Sequence, residues 1–438
     1  MPPLVRTGAV GSDTLERGGR GAWHTGGSAW VAAATVLLVA TRIPVAQGVT
    51  LGMLASAVFL PVWWPVVVRW AGYRWIVAGV LASLVLGFWL TELASATFPT
   101  SQRALIFSSV MALELALGIG AVIWARTLIP APAIAVLFGV GMFFASSGEL
   151  DPDTNLWRFR LATPVTIIAL ALAWYVGKVW VQALTTVVLI AVSALNGGRS
   201  ATAILVLALI VVLAQSWGPA RSRRTSRLRA AALAAVLVVA LYNVGQSLIL
   251  EGYLGESAQQ RTEAQTAASG SVILGARPEL GATIALFAHR PYGFGSGTQP
   301  TAETVVVAKT GMASIGYDPN NGYVERYMFG SGIVLHSTIA DFWARFGFAG
   351  IATGVALLAV TINGYLRRLA SKQAAALLTY LAVRTIWNLL FSPAHSSLPQ
   401  IILTVGLLAW VVVRDPATPR AAVETPAPAL DSAPDSRA

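Results

Sequence analysis

The chain contains no cysteine, so neither a disulfide framework nor a thiolate metal site is available to it. Charge is also scarce: 11% of the 438 residues are charged and 56% are hydrophobic. That balance exceeds what one soluble core absorbs. Acidic residues are the rarer sign, 19 against 30 Lys and Arg, for a net charge of +11. The arginines are scattered through short connections between apolar runs and form no basic domain, which fits membrane topology and argues against nucleic acid as a partner. There are only four histidines, and neither a His-Glu-x-x-His pair nor a Ser-His-Asp order is found. No fixed-period repeat is evident, nor the period-two alternation of a membrane barrel.

What the sequence has in abundance is apolar runs long enough to cross a bilayer, and in lipid the backbone amides of such runs must be satisfied within a helix. The expected fold class is therefore all-α, a polytopic membrane protein of about twelve transmembrane helices. Spans are expected at 29–46, 49–69, 74–91, 103–125, 131–148, 160–177, 179–196, 200–217, 230–250, 347–366, 373–391 and 399–413. The organisation that follows is a polar N-terminal tail (1–28), helices 1–9 (29–250), one large extracytoplasmic loop between helices 9 and 10 (251–335), helices 10–12 (336–413) and a C-terminal tail rich in Ala, Pro and Asp (414–438). Arg221, Arg223, Arg224, Arg227 and Arg229 in one connection, and Arg367, Arg368 and Lys372 in another, belong inside by the positive-inside tendency. With an even number of spans, both tails are cytoplasmic and residue 336 faces outwards.

Against that orientation several cations fall on the wrong side. Arg158, Arg160, Arg199 and Arg290 all lie near the outer interface. For any one of them, snorkelling at a helix end is explanation enough, but several together suggest an anionic ligand. Arg199 is the most specific, because Gly197 and Gly198 open a turn just before an apolar helix, an arrangement that suits a phosphate. Beside Arg290, the glycines Gly293, Gly295 and Gly297 signal a loop but not a dinucleotide fingerprint. Arg384 falls mid-span, where an unpaired charge costs at least ~2.5 kcal/mol. The plain expectation is an ion pair with Glu114, also mid-span, and the sharper one is contact with a lipid phosphate. Asp151 and Asp153 share the Asp-x-Asp spacing of many nucleotide-sugar transferases, but Asp-Pro-Asp at a loop tip is more simply a turn.

His24 lies in the tail, His289 near the outer face and His395 in a short outer loop. His336 stands where an apolar helix begins and is followed by Asp341 and Arg345, four residues apart on one helical face. An imidazole is the one side chain whose ordinary titration lies near neutrality, which suits it to accept a proton.

Three stretches together resemble the O-antigen ligase and O-antigen polymerase family of bacterial surface-polysaccharide enzymes. His336 with Gly347 and Gly350 keeps the spacing of that family's histidine and Gly-x-x-Gly pair. "NGGRSATAILVLALIVVL" is similar to its Ser-Arg-Gly motif heading a membrane helix, and "HRPYGFGSGT" to its His-Pro-x-x-Gly-x-Gly segment in the large loop. The likeness covers residues 196 to 350, with the earlier spans agreeing in hydropathy and count. Ser337 stands where Asn is usual, Arg345 where an acidic residue is common, Arg290 precedes the proline, and Ser200 follows Arg199.

The resemblance implies an inverting glycosyltransferase of the bacterial inner membrane whose active site faces the extracytoplasmic side. It implies a polyprenyl-diphosphate-linked glycan as donor, a glycan or glycolipid as acceptor, no cofactor and no metal. Polysaccharide export or chain-length proteins are the partners it suggests. In that chemistry His336 is the base that deprotonates the acceptor hydroxyl. Arg199, Arg290 and Arg384 take the diphosphate charge, and Asp341, Arg345, Gly293 and Gly295 support the site. A flippase for a lipid-linked sugar is the alternative, since it needs the cations but not the base. A peptidoglycan polymerase of the shape, elongation, division and sporulation family shares the lipid chemistry, but its segments are not found here.

Overall fold

The computed structural model describes residues 26–145, 155–216, 277–330 and 332–411. The expected span at 230–250, both tails, the Asp151 and Asp153 pair, His24 and the loop up to residue 276 lie outside the described residues.

The described chain is almost entirely helical. Its helices are α1 (Gly27–Thr41), α2 (Leu51–Val58), α3 (Leu60–Val67), α4 (Tyr73–Ala94), α5 (Gln102–Ala125), α6 (Ala131–Ala145), α7 (Ala162–Val176), α8 (Val179–Leu195) and α9 (Arg199–Ser216). There follow α10 (Glu279–His289), α11 (Ala302–Ala313), α12 (Thr338–Ala370), α13 (Ala376–Phe391) and α14 (Ala394–Leu408). A two-stranded antiparallel ribbon, β1 (Pro44–Ala46) with β2 (Val49–Thr50), joins α1 to α2. Five stretches are long and apolar enough to cross a membrane: Tyr73–Ala94, Gln102–Ala125, Trp157–Val176, Arg199–Ser216 and Thr338–Ala370. Five shorter apolar helices, α1, α6, α8, α13 and α14, accompany them. The described residues are thus mostly helical, with five helices long and apolar enough to cross a membrane.

Three elements differ from the hydropathy reading, each for a local reason. The stretch expected as one span at 49–69 is two eight-residue helices meeting at Phe59, whose ψ of 7° leaves the helical range. Pro61 and Pro65 follow at once, and neither can donate to the preceding turn. The expected helix at 399–413 starts five residues earlier, at Ala394, so His395 sits in its first turn and not in a loop. The tenth expected span, at 347–366, is the second arm of α12; its first arm runs from Thr338 to Phe346 and the two meet at Gly347, whose backbone (φ 60°, ψ −142°) is not helical.

Close packing between helices uses small residues, as it must where lipid supplies no hydrophobic drive. Gly79, Ser83 and Gly87 recur every four residues along α4 and face α12, with the Ser83 hydroxyl 3.2 Å from that of Thr353. Two glutamines pin one end of the bundle. Gln182 of α8 accepts the Ala376 N–H (3.1 Å), and Gln215 of α9 accepts the Ala374 N–H (3.0 Å) and donates to its carbonyl (2.9 Å). Because α8 and α9 form a hairpin, their connecting turn, with Arg199, lies at the opposite end, the end where α13 finishes at Phe391.

Candidate functional site

At that opposite end the chain from Leu335 to Phe346 is folded back beneath the start of the long arm of α12. Gly347 takes the left-handed turn, and the carbonyl of Phe342 and the side chain of Ile339 then lie against Gly350 and Gly354 respectively. The spacing read in the sequence thus has a mechanical meaning: one glycine turns the chain and the next lets the arms touch. Ser337 caps the short arm, its hydroxyl accepting the Ala340 N–H at 3.2 Å and donating to the Leu389 carbonyl at 3.1 Å. Thr338 donates to the carbonyls of Asn388 (3.0 Å) and Ser392 (3.1 Å). Asp341 is fully buried, and its two oxygens accept different backbone amides, Leu335 at 2.6 Å and Ala394 at 2.8 Å.

His336 stands between these restraints with φ at +53°, a conformation rare for a non-glycine residue. Such strain persists only where the surroundings over-determine it, and here they do: the amide before it and the hydroxyl after it are both tied. The ring is half-buried, its Nδ1 is buried without a hydrogen-bond partner, and it lies 5.8 Å from the Tyr323 ring. Tyr323 donates to Glu279 Oε1 at 2.5 Å. Burial, and then that bond to Glu279, pushes the Tyr323 hydroxyl above the usual phenol range, so it remains a donor at any ordinary pH. Arg277, next to this group in sequence, lays its guanidinium over the Trp387 ring at 5.2 Å.

The other residues singled out by the sequence are spread around this centre. Arg199 is exposed at the head of α9. Arg384 lies on α13 one turn from Asn388, the residue whose carbonyl Thr338 holds; its Nε is buried and without a partner. Arg345 does not pair with Asp341, whose oxygens are occupied by amides, and points instead to the sulfur of Met111 at 3.7 Å. Arg290 is at the far end of the short arm from His336. Its Nε donates to the Gly293 carbonyl (2.9 Å), and Phe98, Tyr292 and Phe294 surround its guanidinium within 5.8 Å. Gly293 and Gly295, both with positive φ, let this loop press against Trp343 of α12 and Thr91 of α4, so their close approach is to helices of the protein itself.

The expected pair of Arg384 with Glu114 is not formed. Glu114, buried in α5, accepts from Thr50 at 3.0 Å and pairs with Arg42 at 3.5 Å, which follows α1 and is much nearer in space. Arg42 reaches further, donating to the His395 carbonyl at 2.9 Å. That carbonyl is open because Pro399, four residues on, has no N–H to offer it. Arg42, Thr50, Phe107 and His395 line a cavity of about 490 Å³.

Of the remaining acid–base candidates, His289 lies 3.7 Å from Glu303, and Asp318 accepts from the Asn320 amide two residues away. The Lys309 ammonium bonded to Glu325 holds that carboxylate below its usual range. Among the described residues no three His, Asp or Glu side chains gather as metal ligands. Sequence reasoning passed over Arg42, Glu279 and Tyr323. Arg42 did carry a signal, being a cation directly after an apolar run; Tyr323 and Glu279 are 44 positions apart and carry none. Comparison of the chain with protein-family models, curated proteins and solved structures returns no match.

Proposed function

We propose that the protein is a glycosyltransferase of the bacterial cytoplasmic membrane that moves a glycan from a polyprenyl diphosphate to an acceptor hydroxyl, with His336 as general base. The observation that carries this reading is the restraint of His336. It is held left-handed by hydrogen bonds on either side, with one ring nitrogen buried and unpartnered, whereas the other two histidines among the described residues, His289 and His395, lie beside Glu303 and Arg42. In this reading the chain has about twelve spans, both termini are cytoplasmic and the His336 end of the bundle faces outwards. The acceptor oxygen attacks the anomeric carbon in line, forming the new glycosidic C–O bond as the C–O bond to the diphosphate breaks. The acceptor's proton passes to the imidazole, and the anomeric configuration inverts.

The leaving diphosphate needs cations, and Arg199, Arg290 and Arg384 are the proposed set, as a general base alone contributes only about 10²- to 10⁴-fold. Arg199 shares the His336 end of the bundle, and Arg384 offers a buried, unpartnered Nε one turn from the segment that anchors Thr338. Asp341 positions the base through the backbone, while Gly293, Gly295 and Arg345 shape the wall of the short arm. Polysaccharide export or chain-length proteins are natural partners for such a product.

The test is reconstitution in liposomes carrying polyprenyl-diphosphate-linked glycan and acceptor. Wild-type protein is expected to release polyprenyl diphosphate and form glycosidic bonds, and His336→Ala and His336→Asn to lose most of that activity while still binding donor. Movement of the lipid-linked glycan across the bilayer without bond formation would assign the protein to the flippase class instead.

A further inference from the structure

From Tyr317 to Tyr327 three tyrosine rings form a row whose middle member, Tyr323, also meets the ring of His336. Tyr317 and Tyr323 are 6.5 Å apart, Tyr323 and Tyr327 5.5 Å, and Tyr323 and His336 5.8 Å. Tyr323 and Tyr327 are four residues apart, a spacing that puts both rings on one face, and Val324–Met328 winds as a π-helix, a wide turn frequent at functional sites. On the other side of the wide turn, Lys309 grips Glu325 and fixes the segment to α11. Two of the three hydroxyls are engaged: Asn321 donates to Tyr317 at 2.8 Å, and Tyr323 donates to Glu279. Tyr327 is 57% exposed.

Glu279 is the second, independent observation. The residue is only 6% exposed, one carboxylate oxygen accepts from Tyr323, and the other, Oε2, is buried without any hydrogen-bond partner. A buried polar atom left unpaired costs ~1–3 kcal/mol, so a ligand that supplies a donor recovers that cost. Tyrosines anchoring the chain at a membrane interface would account for exposed rings, but such rings face lipid singly. Here they converge on one another, on a carboxylate and on the proposed base.

We propose that Tyr317, Tyr323, Tyr327 and Glu279 form a saccharide subsite that holds the acceptor sugar next to His336. This rests on the glycosyltransferase reading for its role, and not for its existence. A pyranose has an apolar C–H face, which a tyrosine ring covers, and a rim of hydroxyls, which a carboxylate oxygen and phenol groups bond. The carboxylate makes this side unsuited to a diphosphate, whose charge it repels. The subsite therefore takes the neutral partner, and the arginines take the charged one. A sugar lying along the row would present a hydroxyl at His336, with Tyr323 orienting it and Glu279 accepting from a neighbouring hydroxyl.

The experiment is saturation-transfer NMR on the full chain in lipid nanodiscs, free of glycoside detergent. The probes are the methyl pyranosides of glucose, galactose, mannose and rhamnose. At least one is expected to receive saturation, strongest on the protons of one ring face. Tyr327→Ala and Glu279→Gln are expected to weaken binding about tenfold, and Tyr327→Phe, which keeps the ring, to stay close to wild type. Absence of saturation for every pyranoside, or equal signals in wild type and Tyr327→Ala, overturns the subsite. If pyranosides bind as expected and wild-type protein makes no glycosidic bond in liposomes, the transferase reading falls and the subsite stands. If transfer occurs and Tyr327→Ala leaves the KM for acceptor unchanged, the subsite falls and the transferase reading stands.

Discussion

Gly350 lies against the backbone carbonyl of Phe342, close enough that a β-carbon would overlap it. The contact joins the two arms of α12 across the turn at Gly347, and so sets where the arm carrying His336 can lie. Gly350→Ala is expected to push the arms apart and destabilise the protein by ~1–3 kcal/mol, the usual cost of overpacking. At Gly354 a β-carbon would come too close only to the Cγ1 of Ile339, a side-chain atom that can shift, so Gly354→Ala should cost less. Thermal unfolding of both variants in one lipid or detergent gives the comparison; equal loss would show that the two contacts are equivalent.

Asp341 ties two chain segments by accepting one amide from each. Asp341→Asn keeps the size but turns one acceptor into a donor facing an N–H. The expected result is a loss of ~1–3 kcal/mol, since a buried N–H is left without an acceptor. In the transfer assay the variant should lower kcat and leave donor binding intact if His336 is the base, because Asp341 holds the backbone beside His336. Reduced donor affinity with unchanged kcat would place Asp341 on the other side of the reaction.

Glu114 is buried and pairs with the partly exposed Arg42, so removing Arg42 strands a buried carboxylate. Arg42→Ala is expected to cost ~1–3 kcal/mol, and Arg42→Ala with Glu114→Gln markedly less than the sum of the two single changes. Arg384→Ala combined with Glu114→Gln should instead be additive. Coupling between Arg384 and Glu114 in that cycle would restore the pairing expected from their shared depth.

Orientation is testable because the chain is naturally free of cysteine. Ser314→Cys, exposed beyond the end of α11, is expected to react with a membrane-impermeant maleimide in intact cells, or after permeabilising an outer membrane if there is one. Lys372→Cys, exposed between α12 and α13, is expected to react only after the inner membrane is opened. The reverse pattern removes both the orientation and the outward-facing site.

Most helices were legible because apolar length is a bulk property of a window, and the starts of α5, α8, α9 and α13 fall within a few residues of the hydropathy reading. The break at Phe59 escaped it because two prolines in an apolar run hardly lower the window average. The short arm of α12 escaped for a related reason: Thr338 to Phe346 is too short to register as a span, yet it carries the residue after which the chain turns. His336, Gly347 and Gly350 stood out because their spacing resembles a family's, a local signal. Partners such as Arg42 with Glu114, 72 positions apart, depend on which helices become neighbours, and depth in the membrane alone does not specify that.

The folded-back arm of α12 also fixes a reference height. A single long helix tilts when bilayer thickness changes, and a residue at its tip would rise or sink with it. His336 is not at such a tip. It is tied sideways, through Ser337, Thr338 and Asp341, to the junction of α13 and α14, and is separated from the turn at Gly347 by a rigid arm. Its depth is therefore measured from neighbouring helices and not from the lipid surface, so His336 and the groups tied to it keep their mutual spacing as the membrane thickens or thins.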